Sequence, residues 1–329
     1  MKYFGFIFVL FCFTSQIFPQ GNGKAKYFYT YKEVFDILNK SNVHYNVEEL
    51  KDTSAFHKQT YMKLSNNYYA DKNSTPVKIG EYNITKECKE IFDSAESYFA
   101  KNNYEEAINL YRKCLLIDKN FYKAYIYIGD CYFTKSNFDS SIFYYKKAIE
   151  KNNISYQAHW FLADALSKTG KLSEAYKEIL TAHLLNRNYD KIFAAVKSIK
   201  SNLGGKWNEW ELTPLYKTTQ NGDTVKIGIS INWMGYAFAD ALWKYEPGFA
   251  KNIIGKDFDE NTVSYEKEAG CLAANIPSEG MGLVRKIIDD GYFRQAVIYE
   301  ILLKKAPYYI FTLPEEEISK LIEYINKYH

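Results

Sequence analysis

The stretch FYKAYIYIGDCYFTKSNFDSSIFYYKKAIEKNN, residues 121–153, decides the architecture of about a third of the chain. It is rich in Tyr and Phe, carries several Lys, and has one Gly, Gly129, inside an apolar run. Shifted by 34 residues, it finds a partner on each side without a gap. Upstream lies CKEIFDSAESYFAKNNYEEAINLYRKCLLIDKN from Cys88, and downstream YQAHWFLADALSKTGKLSEAYKEILTAHLLNRN from Tyr156. Small residues coincide at Ala95, Gly129 and Ala163, at Ala107, Ser141 and Ala175, and at Cys114, Ala148 and Ala182. Large ones coincide at Tyr98, Tyr132 and Leu166, at Tyr104, Phe138 and Leu172, and at Tyr111, Tyr145 and Ile179.

Each copy holds two apolar stripes at helical spacing, parted by a short polar turn. Small residues let two antiparallel helices approach closely. Large ones fill the space between one pair and the next. Asn102, Ser136 and Gly170 hold the turn, where Asn or Gly tolerates a left-handed backbone. Glu105 and Asp139 fall in the first turn of the second helix, where negative charge is favourable. No copy can bury its faces alone, so the three must stack. The tyrosines of the opening stretch are then mostly core.

These in-register copies resemble the tetratricopeptide repeat family across residues 88–188, divided 88–121, 122–155 and 156–188. The Pro that usually closes each repeat is replaced by Lys119, Asn153 and Arg187. The position of the usual aromatic near the start of the first helix holds Ile91, Tyr125 and His159. The resemblance implies a mainly α fold, a helix-turn-helix superhelix or α-α solenoid. It also implies that the first helix of each repeat lines a concave groove of the kind that binds peptides. Residues 189–205 read as a capping helix or degenerate fourth repeat.

The groove rows follow from the alignment. They are Lys89, Lys123 and Gln157; Phe92, Ile126 and Trp160; Glu96, Asp130 and Asp164; and Phe99, Phe133 and Ser167. Spacings of three and four put these rows on one helix face. The pattern is an apolar floor crossed by an acidic row. The family's Lys, Asn and Arg clamp for a terminal carboxylate is missing, since the acidic row takes the place of the Asn. A protein or peptide partner with apolar anchors and some positive charge fits better, with Trp160 as the main anchor. A solvated face with local Lys–carboxylate pairs would account for the same charges.

Outside the repeats the texture changes. Lys2 followed by the apolar run Tyr3–Phe13 reads as a cleavable signal peptide over residues 1–20, cut between Ser15 and Gly23. The run is too short to span a bilayer, so a membrane enters only through export. Residues 21–87 read as an N-terminal helical extension or cap, with helices at YTYKEVFDILNKSN and SAFHKQTYMKLSNNYY and a linker at NSTPVKIGEYN. Residues 206–329 read as a small C-terminal α+β module. In it, Asn221-Gly222 precedes the alternating Val225, Ile227, Ile229 and Ile231, a hairpin signal. Helices are expected at GYAFADALWKYEPG, at 264–275, at 283–305 with a break near Gly291, and at 314–328.

A net charge of +3 over 329 residues gives no basic face, so nucleic acid is not an expected partner. No HExxH, GxSxG, P-loop or GxGxxG pattern is present, and the cysteines lack metal or redox spacing. No catalytic residue, cofactor or metal is therefore assigned. DFDENTVSYEKE resembles a calcium loop but has Thr262 where the sharp turn wants Gly. Cys88, Cys114, Cys131 and Cys271 read as small buried residues. The expectation is an exported repeat protein of the periplasm or cell exterior, a scaffold that is not an enzyme. Two other readings rest on the tail. Trp207, Trp210, Trp233 and Trp243 could form a glycan-binding platform, and Cys271 could serve a hydrolase.

Overall fold

In the computed structural model, residues 28–51, 68–71, 78–256, 258–259, 263–276, 278 and 280–329 are described. The signal peptide expected at 1–20 lies outside them, as do the second N-terminal helix up to residue 67 and residues 257 and 260–262 of the calcium-like loop. The chain divides into two units, each built from two separate segments. One holds Met1–Asp52 and Pro214–Arg294, the other Thr53–Thr213 and Gln295–His329. The tail expected as one module from residue 206 onward is thus split between them.

The repeats form as three antiparallel helix pairs in the second unit. These are α2 (Lys86–Ala100) with α3 (Tyr104–Ile117), α4 (Tyr122–Thr134) with α5 (Phe138–Lys151), and α6 (Tyr156–Lys168) with α7 (Leu172–Leu185). The turns explain the register. Asn102, Ser136 and Gly170 have φ of 61°, 60° and 77°, the left-handed backbone expected of them. The next residues, Asn103 and Asn137, cap α3 and α5 by accepting from the backbone N–H of Glu106 and Ser140. Thr85 and Ser155 do the same for α2 and α6.

Packing follows the small-residue rows. Ala95, Ala163, Ala107, Ser141, Ala175, Cys114, Ala148 and Ala182 are all fully buried. Tyr111, Tyr145 and Ile179 fill the space beside them and are themselves buried. The row Tyr98, Tyr132 and Leu166 is covered unevenly: Tyr98 is 39% exposed and Leu166 1%. A further helix, α8 (Asp190–Asn202), follows where a cap was expected and ends at Gly204 with φ 81°. The four described cysteines are buried and unbridged.

Among the described residues, the N-terminal segment holds strands besides the first expected helix. Residues 78–81, taken as part of a linker, form strand β3 (Lys78–Glu81) antiparallel to β2 (Tyr68–Asp71). The Tyr68 carbonyl accepts from Tyr122 Oη at 3.3 Å and from Asn152 Nδ2 at 2.7 Å, so this ribbon sits against the turn between repeats. Residues 295–329 complete the unit. A π-helical stretch (Val297–Leu302) leads into a short helix, and the long helix α11 (Glu315–Tyr328) begins at Pro314 with three glutamates in its first turn.

The other unit starts with helix α1 (Tyr31–Lys40), closed by a capping box between Thr30 and Glu33. Its sheet runs β1-β5-β4, with β4 (Tyr216–Asn221) and β5 (Thr224–Ile229) forming the expected hairpin. β1 (His44–Glu49) joins parallel to β5 and was not anticipated, because its residues are mostly exposed and polar. Helix α9 (Met234–Tyr245) packs on α10 (Tyr265–Asn275) at Gly235, where a Cβ would meet the Ala274 carbonyl oxygen. Between them lies a buried charge cluster. Asp240 is bound by Lys267 at 2.5 Å, Lys244 at 2.9 Å and the Thr218 hydroxyl at 2.6 Å. Burial alone would raise its pKa, but the two ammonium groups hold it well below the usual carboxylate range.

Candidate functional site

The first helices α2, α4 and α6 carry the expected groove rows, and the structure sorts those residues. Phe92 is half-buried, with ring centroids 5.4, 5.1 and 5.3 Å from Tyr111, Phe121 and Tyr127. Phe99 meets Tyr104 and Tyr127, and Phe133 meets Phe138. Trp160 is half-buried and lies beside Phe161 and Tyr189, at 5.5 and 5.8 Å. These rings form a partly open aromatic floor.

One expected contact is out of reach. Ile126 is 0% exposed, so it lies beneath the face and cannot touch a partner. Its neighbour Tyr127 is half-buried on the aromatic cluster instead, one residue off the expected row. Lys89 is exposed and paired with Asp93 at 2.7 Å, the local i,i+4 pair of a solvated face. Lys123 is partly buried, and desolvation lowers its basicity against the pull of Glu96 and Glu81.

The acidic row is the sharpest feature. Glu96, Asp130 and Asp164 sit at equivalent points of three successive repeats, and all are half-buried. Tyr145 donates its hydroxyl to Asp130 at 2.6 Å, and Tyr111 does likewise to Glu96. Tyr127 also hydrogen-bonds Glu96. The third repeat has Ile179 in place of the tyrosine, and the charge of Lys168 is what opposes protonation of Asp164. Burial pushes all three carboxyls up. Asp130 reaches about 7, with the phenol of Tyr145 acting against burial and Glu96 adding to it. Asp164 reaches about 6, and Glu96 is raised as well. An incoming cation would favour the ionised form of each.

The tail readings lose their footing. Trp207, Trp233 and Trp243 are 7%, 8% and 2% exposed. Trp210 is half-buried, stacked on His329, with its indole N–H given to the Tyr328 carbonyl. Trp207 and Trp210 belong to one unit, Trp233 and Trp243 to the other. Cys271 is 0% exposed. Glu268, a candidate ligand of the calcium-like loop, is buried and bound to Tyr236 and Lys267.

The tetratricopeptide repeat model matches residues 92–121 and 122–152. No curated protein matches the chain. Among solved structures, the first such domain of RPAP3, bound to an HSP90 peptide, is 21% identical, with a TM-score of 0.36 over 38% of this chain and 100% of that one. The Yersinia enterocolitica type III secretion chaperone SycD, in complex with a peptide of the translocator YopD, is 16% identical, with a TM-score of 0.35 over 36% and 97%. The Sgt2 domain of Aspergillus fumigatus is also 16% identical, with a TM-score of 0.35 over 36% and 81%.

Proposed function

The chain carries tetratricopeptide repeats, and from that premise we propose that it is an interaction module whose first helices bind an extended protein segment bearing apolar and cationic side chains. The observation that carries this reading is the row Glu96, Asp130 and Asp164 beside an incomplete aromatic floor. Half-buried carboxyls resist ionisation when alone, so a Lys or Arg side chain laid along the row stabilises the charges they hold at neutral pH. Phe92, Tyr127 and Trp160 supply aromatic contact area next to that row. The Lys, Asn and Arg carboxylate clamp is absent from these positions, which favours internal segments over acidic chain ends.

The test is a crosslinking pull-down from native extract, comparing the wild-type chain with a Trp160→Ala, Asp164→Lys double variant. A protein retained by the wild type and lost by the variant supports the groove. Equal retention removes it. Export is part of the proposal and rests on the basic and apolar opening of the sequence. N-terminal sequencing of the protein from fractionated cells tests it, and a chain still beginning at Met1 overturns it.

A further inference from the structure

Two of the buried cysteines meet inside the first repeat. Cys88 lies in the first turn of α2 and Cys114 in the last turn of α3, and both are 0% exposed. Cys114 Sγ donates to the Cys88 carbonyl oxygen at 3.5 Å, and the two thiols are each other's side-chain hydrogen-bond partners. Both belong to the core that also holds Ala95, Ala107 and Tyr111.

The other repeats fill the same two positions differently. Shifted by 34 residues, Cys88 becomes Tyr122 and then Tyr156, while Cys114 becomes Ala148 and then Ala182. All four of these residues are buried, so a large ring and a methyl group complete the later repeats. The first repeat has a cysteine at both places. It is also the repeat with the least support. Among the described residues no helix precedes α2 in its unit, and a repeat at the end of a stack is held by one neighbouring repeat alone.

We propose that Cys88 and Cys114 form a disulfide that staples α2 to α3. This rests on the export included in the proposed function, because an oxidising compartment is where such a bond forms and persists. The chemistry is thiol–disulfide exchange with an oxidant that itself carries a disulfide. One cysteine thiolate attacks a sulfur of the oxidant and displaces the other sulfur as a thiolate. The second cysteine thiolate then attacks the cysteine sulfur of the mixed disulfide and displaces the remaining thiolate. Two protein thiols are oxidised, one disulfide is reduced, and the two protons end on the thiolates released. Burial raises both cysteines, Cys114 to about 12, so exchange belongs to the open repeat and closure then seals the bond. The staple fixes the helix that carries Phe92 and Glu96.

The experiment refolds the full chain from urea, once with oxidised glutathione and once with a reductant. Free thiols are then alkylated and the cysteine peptides mapped by mass spectrometry. A Cys88–Cys114 link is expected in the oxidised chain, leaving Cys12, Cys131 and Cys271 to the alkylating agent. The oxidised chain should also unfold at a urea midpoint about 1 M above the reduced one, since the link closes the loop between the two helices. Cys114→Ala, which copies the other two repeats, should abolish that difference, and Cys131→Ala should keep it. A link from either residue to another cysteine, no link in the refolded chain, or equal midpoints for the oxidised and reduced wild type would each overturn the proposal. The wild-type comparison needs no substitution, so it decides the matter even if a variant does not fold. It is made on purified protein, so its failure is separate from a failure of export, which N-terminal sequencing judges.

Discussion

An alanine at position 129 tests how tightly the repeats interlock. Its Cβ would stand 2.6 and 2.7 Å from Cε1 and Cδ1 of Tyr145, well inside contact distance. That ring is 1% exposed, and its hydroxyl is tied to Asp130 at 2.6 Å, so it cannot withdraw without losing the bond. Overpacking of this kind costs about 1–3 kcal/mol. A hydrogen bond to a charged group contributes about 1.5–3 kcal/mol. Against these, alanine is favoured over glycine inside a helix by roughly 1 kcal/mol. The expected net effect of Gly129→Ala is a loss of about 2 kcal/mol. The other repeats show the ways out. Ala95 is aligned with Tyr111 but uses the longer Glu96 as acceptor, and Ala163 is aligned with Ile179. The combination of Ala, Asp and Tyr is the one this chain does not use. Gly129→Ala/Asp130→Glu and Gly129→Ala/Tyr145→Ile should therefore each recover about half of the loss, by the coupling expected of residues in contact. Urea unfolding of the full chain by far-ultraviolet circular dichroism reads these differences. An unchanged midpoint for Gly129→Ala, or double variants no better than the single one, would refute the reasoning.

Further outcomes follow from the same geometry. Ser136 holds φ 60°, where a side chain costs about 1 kcal/mol, so Ser136→Gly should raise the urea midpoint and Gly170→Ala should lower it by a similar amount. Asp130→Asn keeps an acceptor for Tyr145 but removes a carboxyl raised from 3.8 to about 7. A group raised on folding adds stability below pH 4 and loses it as pH climbs to 7. The variant should therefore gain about 1–3 kcal/mol on the wild type at pH 8 and nothing at pH 3.5, while parallel pH profiles would refute this. Binding of a cationic segment in the groove should weaken as the acidic row takes up protons between pH 7 and pH 5, a trend that titration calorimetry of the captured partner would detect. Thr30→Ala removes the capping box of α1 and should cost about 1 kcal/mol, localised by faster amide exchange in that helix.

The repeats were legible because their constraint recurs. A period of 34, small residues at fixed offsets and a turn needing positive φ all state one geometry three times over. The groove was legible only to within a residue. Ile126 and Tyr127 are both apolar, and nothing in spacing alone says which of two neighbours a curved stack will bury. The tail helices were found from their own periodicity, as with Tyr265–Asn275 and Glu315–Tyr328. Their grouping was not, since assignment to a unit depends on contacts between distant segments. β1 left little trace: its burial comes from neither face, and its place is set by backbone bonds to β5.

The alternation of segments between the two units sets an order on synthesis. As the chain leaves the ribosome, α2 to α8 can pack early, because each helix pairs with the one just made. The first unit must hold residues up to Asp52 in waiting until β5 emerges and pairs Thr224 with His44. That unit is complete when Arg294 appears, before the repeat-bearing unit receives its closing segment from Gln295 onward. The earliest part to begin folding is therefore the last to finish. No single cut releases either unit whole, so a fragment starting at residue 206 would carry one unit's sheet without its first strand and the other's last helix without the repeats.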